Sequence, residues 1–182
     1  MVEKEEIALK GITLIKPKIY DDNRGLFLET FNLNKFEKQT GFETTFYQDN
    51  LSVSKKNVLR GLHFQKPPNA QGKLVQVIKG RAIDVAVDIR KNSPTYGAYF
   101  KVELNDINRY QLWIPRGFAH GFVALEDNTI FSYKCDNPYS QKDEISLPWN
   151  DKDLAIEWGV KNPILSKKDE DATTFKRFNS PF

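Results

Sequence analysis

The chain has 182 residues, 40% of them hydrophobic and 13% aromatic, proportions of a folded protein with a buried core rather than a disordered one. Its formal net charge of +3 is too small to argue for a nucleic-acid partner. A single cysteine, Cys135, excludes an intrachain disulfide, and no apolar run nears the ~20 residues of a membrane helix, so a reducing cytoplasm is the expected setting.

The start, MVEKEEIALKG, is charged and has no apolar h-region, so no signal peptide is expected. Period-2 alternation then marks ITLIKPKIY (12–20) and GLFLETF (25–31), with turn chemistry at Asn23 between them. Residues 33–40, LNKFEKQT, predict the one early helix: Asn32 suits the N-cap, Leu33 and Phe36 share a face, and Gly41 can stop it. VLRGLHFQ (58–65) reads as a strand although it holds an arginine, a glycine and one of two histidines. Further strands are predicted at 73–80, 81–89, 95–104, 110–115, 121–125 and 129–135, separated by Gly80, Asn92-Ser93-Pro94, Asn105-Asp106 and Asp127-Asn128. From Asp151 onward periodicity fades, which predicts loops and short helices over the sheets. With no repeats or linkers, the pattern predicts one all-β domain over 1–182, an antiparallel sandwich or barrel.

Alternation also assigns faces. Phe118, His120 and Phe122 point one way, as do Phe131, Tyr133 and Cys135. Asp84 and Asp88 oppose Ile83, Val85, Val87 and Ile89, and Lys73 goes with Val75 and Val77. A barrel could therefore gather His63, His120, Tyr133, Asp84 and Lys73 in one interior. Strict alternation conflicts with this at one place: it turns Arg60 away from His63. Both reach one ligand only if the strand is irregular at Gly61 or Arg60 wraps round a rim.

Two histidines 57 residues apart and one cysteine make a poor metal set, so no metal and no cofactor are expected. There is no G-x-S-x-G elbow, no P-loop and no G-x-G-x-x-G. Proton chemistry by a histidine, with carboxylates and a tyrosine, is what remains. Taken singly, each of these residues also has an ordinary reading as a packed or solvated side chain.

Together they carry a resemblance. DDNRGLFLETF (21–31), the run from YQDNLSVS through RGLHFQ and GKLVQV to SPTYG (47–97), LWIPRGFAHGFVAL (112–125), WNDKDLAIEW (149–158) and LSKKD (165–169) resemble the dTDP-4-dehydrorhamnose 3,5-epimerase family from about residue 11 to 170. The resemblance implies a cupin-like jelly-roll double-stranded β-barrel with short peripheral helices. It also implies a homodimer with a swapped N-terminal segment, no metal, and a dTDP-linked 4-keto-6-deoxy sugar as substrate. The reaction implied is epimerisation of dTDP-4-dehydro-6-deoxy-D-glucose at C3 and C5 in dTDP-rhamnose biosynthesis. An epimerase acting at one of these carbons and a non-catalytic nucleotide-sugar-binding cupin are the alternatives.

The resemblance also assigns residues. His63 matches the base, Asp169 its carboxylate partner, Tyr133 the proton donor for the opposite face, and Lys73 the group beside the developing enolate oxygen. His120 matches a sugar contact, with Asp84 as its candidate partner. Arg24, Arg60 and Lys168 match diphosphate-binding positions. Glu29, Gln48, Asp49, Asn50 and Glu144 match further ligand contacts, and Phe27 and Tyr139 are candidates to stack on the base. Departures from the family pattern are Asn57, where glycine is usual, Cys135, and the basic, Thr-rich end KKDEDATTFKRF.

Overall fold

The computed structural model describes residues 3–5, 8–170 and 172–182. Its strands are β1 (Glu3–Glu5), β2 (Thr13–Lys16), β3 (Ile19–Asp22), β4 (Gly25–Leu28), β5 (Gln48–Ser54), β6 (Leu59–Gln65) and β7 (Lys73–Lys79), followed by β8 (Arg81–Asp88), β9 (Tyr99–Asn105), β10 (Gln111–Ile114), β11 (Phe118–Ala124), β12 (Thr129–Cys135) and β13 (Glu144–Ser146). One antiparallel sheet runs β1-β2-β10-β7-β12-β5 and the other β13-β6-β11-β8-β9. Strands β5 to β12 thus alternate between sheets in the orders 5-12-7-10 and 6-11-8-9, which is jelly-roll connectivity. The antiparallel all-β architecture expected from the alternation, and the cupin-like form that the resemblance implies, are observed.

Burial follows the predicted alternation. Val75, Val77, Ala82, Ala86, Leu112, Phe118, Phe122 and Phe131 fill the space between the sheets. Val85, Val87 and Ile89 face the other way, onto Leu154, Trp158 and the C-terminal segment. Beyond Asp151 the regular pieces are α2 (Lys167–Glu170) and a 3-10 turn at Phe175–Arg177. Helix α1 (Leu33–Thr40) matches its predicted bounds: Asn32 Oδ1 accepts from Lys35 N at 3.2 Å, and Gly41 ends it at φ +74°. Phe36 of α1 packs with Ile15, Leu74 and Trp113 on the outer face of the larger sheet.

Several segments depart from expectation, among them the short strands β1 and β13, which lie outside the predicted set. The strand predicted over 12–20 is broken at Pro17 and Lys18 into β2 and β3, because proline offers no N–H to the ladder. Strand β5 was not predicted, since its apolar Leu51 and Val53 are exposed while polar Ser52 and Ser54 lie inward. Among the described residues, strands β3 and β4 pair only with each other, as a hairpin apart from both sheets.

The irregularity predicted at Gly61 is present. His63 faces His120 and Arg60 faces Phe122, so Gly61 and Leu62 of β6 oppose the single Gly121 of β11. That bulge brings Arg60 onto the face of His63. Gly61 has φ +131°, and a Cβ there would lie 2.5 Å from Gly121 Cα. Asn57, where the resemblance expects a glycine, has φ +66°, a left-handed conformation that asparagine tolerates.

At the end of β8 the buried Asp88 accepts from Arg90 N, Nε and Nη2 and from the Ser93 and Thr95 hydroxyls at 2.6–3.0 Å. Burial pushes its carboxyl up, but the bonds from Arg90, Ser93 and Thr95 outweigh burial and hold it at about 2. A depressed carboxyl contributes stability that is complete above its unfolded value of 3.8 and lost as pH falls through about 2. Asp88→Asn should therefore lower stability at neutral pH by about 2 kcal/mol in urea unfolding, with the gap narrowing on acidification below about pH 4. Equal urea midpoints at neutral pH would contradict this.

Candidate active site

The two sheets bring complementary groups to one cavity. From the smaller sheet, β6 contributes Arg60 and His63, and β11 contributes His120 and Phe122. From the larger sheet, β5 contributes Ser52, β7 contributes Lys73, and β12 contributes Tyr133. Ile164, Leu165, Ser166 and Asp169 close one side, around a cavity of about 400 Å³. A second cavity of about 230 Å³ adjoins it, lined by Gln48, Asn50, Gln71, Tyr139 and Glu144; His63, Lys73 and Tyr133 line both. The stacked rings of Phe122 and Phe131, 3.9 Å apart, give the interior an apolar base.

Both histidines are held by buried carboxylates. His63 Nε2 lies 2.5 Å from Asp169 Oδ1, and His120 Nε2 lies 2.7 Å from Asp84 Oδ1. A carboxylate accepting from one ring nitrogen fixes the tautomer and leaves the other free to exchange a proton. Asp169 is 3% exposed, and burial alone would raise its carboxyl. The hydrogen bond and charge of His63, with Ser166 and Lys168, outweigh burial and hold it below the ordinary carboxylate value.

The opposite wall is tuned the other way. Burial lowers the Lys73 ammonium against the opposing pull of Cys135, Glu144 and Asp84. Lys73 Nζ sits 5.8 Å from the centre of the Tyr133 ring. Burial, with Cys135 and Glu144, raises the Tyr133 hydroxyl, which is thus kept as a proton donor at neutral pH despite the counteracting Arg60. Burial likewise pushes the Cys135 thiol up to about 11, so it is no nucleophile here.

Of the residues singled out from sequence, His63, Lys73, Tyr133, Asp169, Arg60, His120, Gln48, Asn50, Glu144 and Tyr139 come together around these cavities. Lys168 joins their edge through Glu144, Nζ to Oε1 at 2.5 Å, while the Tyr139 hydroxyl donates to Glu144 Oε2 at 2.7 Å. Asp49 does not join them. It alternates with Gln48 and Asn50, so it points outward and meets Lys134 Nζ at 3.0 Å. Arg24, Phe27 and Glu29 also lie elsewhere within this chain. Arg24 pairs with Asp22 on the exposed hairpin, and Phe27 and Glu29 line a separate groove where Glu29 meets Lys35 Nζ at 2.7 Å. That groove, about 350 Å³, holds neither histidine.

Ser52, Phe122 and Ser166 were missed. Ser166 was legible as the head of a Ser-x-x-Asp capping pattern, SKKD, at the start of α2. Among the described residues, no cluster of three His, Cys, Asp or Glu side chains could hold a metal ion, and no helix is long and apolar enough to cross a membrane.

Comparison with known proteins places this arrangement. The family model for dTDP-4-dehydrorhamnose 3,5-epimerase matches residues 6–177. The dTDP-4-dehydrorhamnose 3,5-epimerase of Shigella flexneri is 51% identical over 174 residues, covering 96% of this chain and 95% of that one. The dTDP-6-deoxy-D-glucose-3,5-epimerase of Legionella pneumophila, solved in complex with dTDP-4-keto-L-rhamnose, superposes with a TM-score of 0.94 at 42% identity, covering 98% and 95% of the two chains. The Bacillus anthracis dTDP-4-dehydrorhamnose 3,5-epimerase, solved with TDP and PPi bound, gives 0.93 at 43% identity, covering 96% and 100%.

The pairing of His63 with Asp169 has a direct spectroscopic consequence. His63→Asn removes the partner that outweighs burial, so the Asp169 carboxyl should titrate at a higher pH than in the parent protein. Carbon-13 NMR of the labelled aspartate carboxyls reads this, and an unmoved Asp169 titration would break the pairing.

Proposed function

The chain belongs to the dTDP-4-dehydrorhamnose 3,5-epimerase family, and from that premise we propose how its own residues carry the reaction on dTDP-4-dehydro-6-deoxy-D-glucose. The observation that carries the reading is that His63 and Tyr133 stand on facing sheets and line the same cavity. Epimerisation needs a proton taken from one face of a carbon and one returned to the other. C3 and C5 both flank the C4 ketone, so loss of either proton leaves electrons that move onto the carbonyl oxygen as an enolate.

In this reading His63 removes the proton, and the carbon–hydrogen electron pair becomes the enolate. Asp169 stabilises the imidazolium formed, as general-base catalysis worth about 10²–10⁴-fold requires. Lys73 faces the enolate oxygen, where one well-placed donor contributes about 3–4 kcal/mol. Tyr133 gives a proton to the opposite face, and solvent exchange resets both groups. His120, oriented by Asp84, contacts the sugar. Arg60, at the rim, and Lys168 suit the diphosphate, since a guanidinium fork matches phosphate oxygens. Gln48, Asn50, Glu144 and Tyr139 then serve the nucleoside.

A dTDP-linked sugar is supported by the ligands of the Legionella and Bacillus relatives. We read the whole chain, 1–182, as one epimerase domain that works in the cytoplasm and feeds rhamnose-containing surface polysaccharide. We also propose a homodimer in which the β3–β4 hairpin reaches the partner's pocket. Tyr20, Leu26 and Phe27 of this hairpin are exposed, and an isolated two-stranded hairpin has little stability of its own. Exposed Leu51 and Val53 on edge strand β5 supply further apolar surface for such an interface. Arg24, Phe27 and Glu29 would then act in the neighbouring subunit.

His63→Asn should lower turnover at least about 10²-fold while calorimetric affinity for dTDP stays close to the parent value. A variant that turns over normally refutes the assignment of the base. Shared pockets have their own signature: mixing and reassociating inactive Arg24→Ala and His63→Asn chains should restore about a quarter of parental activity, because half the dimers carry one intact pocket. No recovery in a mixture shown to contain heterodimers would place Arg24 in its own chain's pocket.

A further inference from the structure

We propose that Ser166 is a positioning residue for the reaction, its hydroxyl holding the Asp169 carboxylate in the orientation that engages His63. The proposal rests on the reading of His63 and Asp169 as the acid–base pair. Asp169 is 3% exposed and divides its two oxygens: Oδ1 meets His63 Nε2 at 2.5 Å, and Oδ2 accepts from Ser166 Oγ at 2.7 Å. The contact is reciprocal, since Asp169 N donates to Ser166 Oγ at 3.3 Å and to Ser166 O at 3.0 Å. Ser166 therefore clamps both the backbone and the carboxylate of one residue.

The clamp matters because little else holds Asp169. Helix α2 spans four residues, Lys167–Glu170, too few to be stable by its own hydrogen bonds. Its nearest tertiary partner is β6, the strand of His63. Among the described residues, the charged groups facing the carboxylate are His63 from β6 and Lys168 from α2 itself, and Lys168 is engaged with Glu144 of β13. Without the serine hydroxyl, Oδ2 would be buried with no donor among the described residues. The carboxylate would then turn from His63 or take up a proton, and either change weakens the base. Because Ser166 stabilises the ionised form, its loss lets Asp169 protonate at higher pH.

The test compares Ser166→Ala, Ser166→Thr and His63→Asn in full-length protein, measuring kcat, KM, the Asp169 titration by carbon-13 NMR of labelled aspartate carboxyls, and dTDP binding by calorimetry. Ser166→Ala should bind dTDP as the parent does and keep its KM. It should lose about ten- to a hundredfold in kcat, and its Asp169 carboxyl should titrate at higher pH than in the parent protein. Ser166→Thr, which keeps the hydroxyl, should restore both. Three outcomes overturn the proposal: parental kcat in Ser166→Ala, a reduced kcat with an unmoved Asp169 titration, or loss of dTDP binding that Ser166→Thr does not repair. If His63→Asn is inactive in the same series, those outcomes remove Ser166 alone; if His63→Asn is active, the underlying reading falls with it.

Discussion

Strand β6 crosses β11 so closely at Gly61 that a Cβ there would lie 2.5 Å from Gly121 Cα and 2.8 Å from His120 O, and the site depends on that contact. The extra residue it forces into β6 moves Arg60 to the side of the strand that carries His63. It leaves His63 directly across from His120, so two imidazoles enter the barrel from neighbouring strands. The facing sheet completes the cavity with Lys73 and Tyr133. A regular strand in place of this bulge would keep the same residues and turn Arg60 away from His63.

A jelly-roll interior filled only with apolar side chains would be cheaper to fold. Here the barrel buries Asp84 completely and Asp169 almost so, and it depresses a lysine. Each buried charge costs several kcal/mol of lost hydration unless a partner offsets it. The partners are arranged as His63 with Asp169 and His120 with Asp84. The Oδ2 atom of Asp84 has no hydrogen-bond partner among the described residues, which leaves one oxygen of that pair unmatched. Such an interior is a poor choice for stability alone, but its low dielectric strengthens every interaction with a developing enolate. The Asp88 cluster at the far end of β8, fully bonded and away from the cavity, shows what a carboxylate serving only the fold looks like.

Alternation carried much of this from sequence. Helix α1 over 33–40 and strand β12 over 129–135 have their predicted bounds, and the tension at Gly61 pointed to a real bulge. Strand β5 was hidden because its pattern is inverted: a pocket lies on its inner face and apolar residues lie outside, the reverse of an ordinary core strand. The same inversion explains Asp49, which motif resemblance grouped with Gln48 and Asn50 although a strand must turn it the other way. Arg24, Phe27 and Glu29 were legible only as motif positions, because the hairpin that carries or adjoins them pairs with neither sheet among the described residues. Ser166 left a capping signature, but a cap pattern does not announce that its acidic member also holds a histidine 106 residues away.

The most direct measurement is NMR of dTDP-4-dehydro-6-deoxy-D-glucose incubated with the protein in D2O, with a downstream reductase trapping the product. Proton exchange through an enolate on both sides of the C4 ketone predicts deuterium at C3 and at C5. Deuterium at one carbon alone would contradict the double epimerisation, and none at either would contradict the base-and-acid account of His63 and Tyr133.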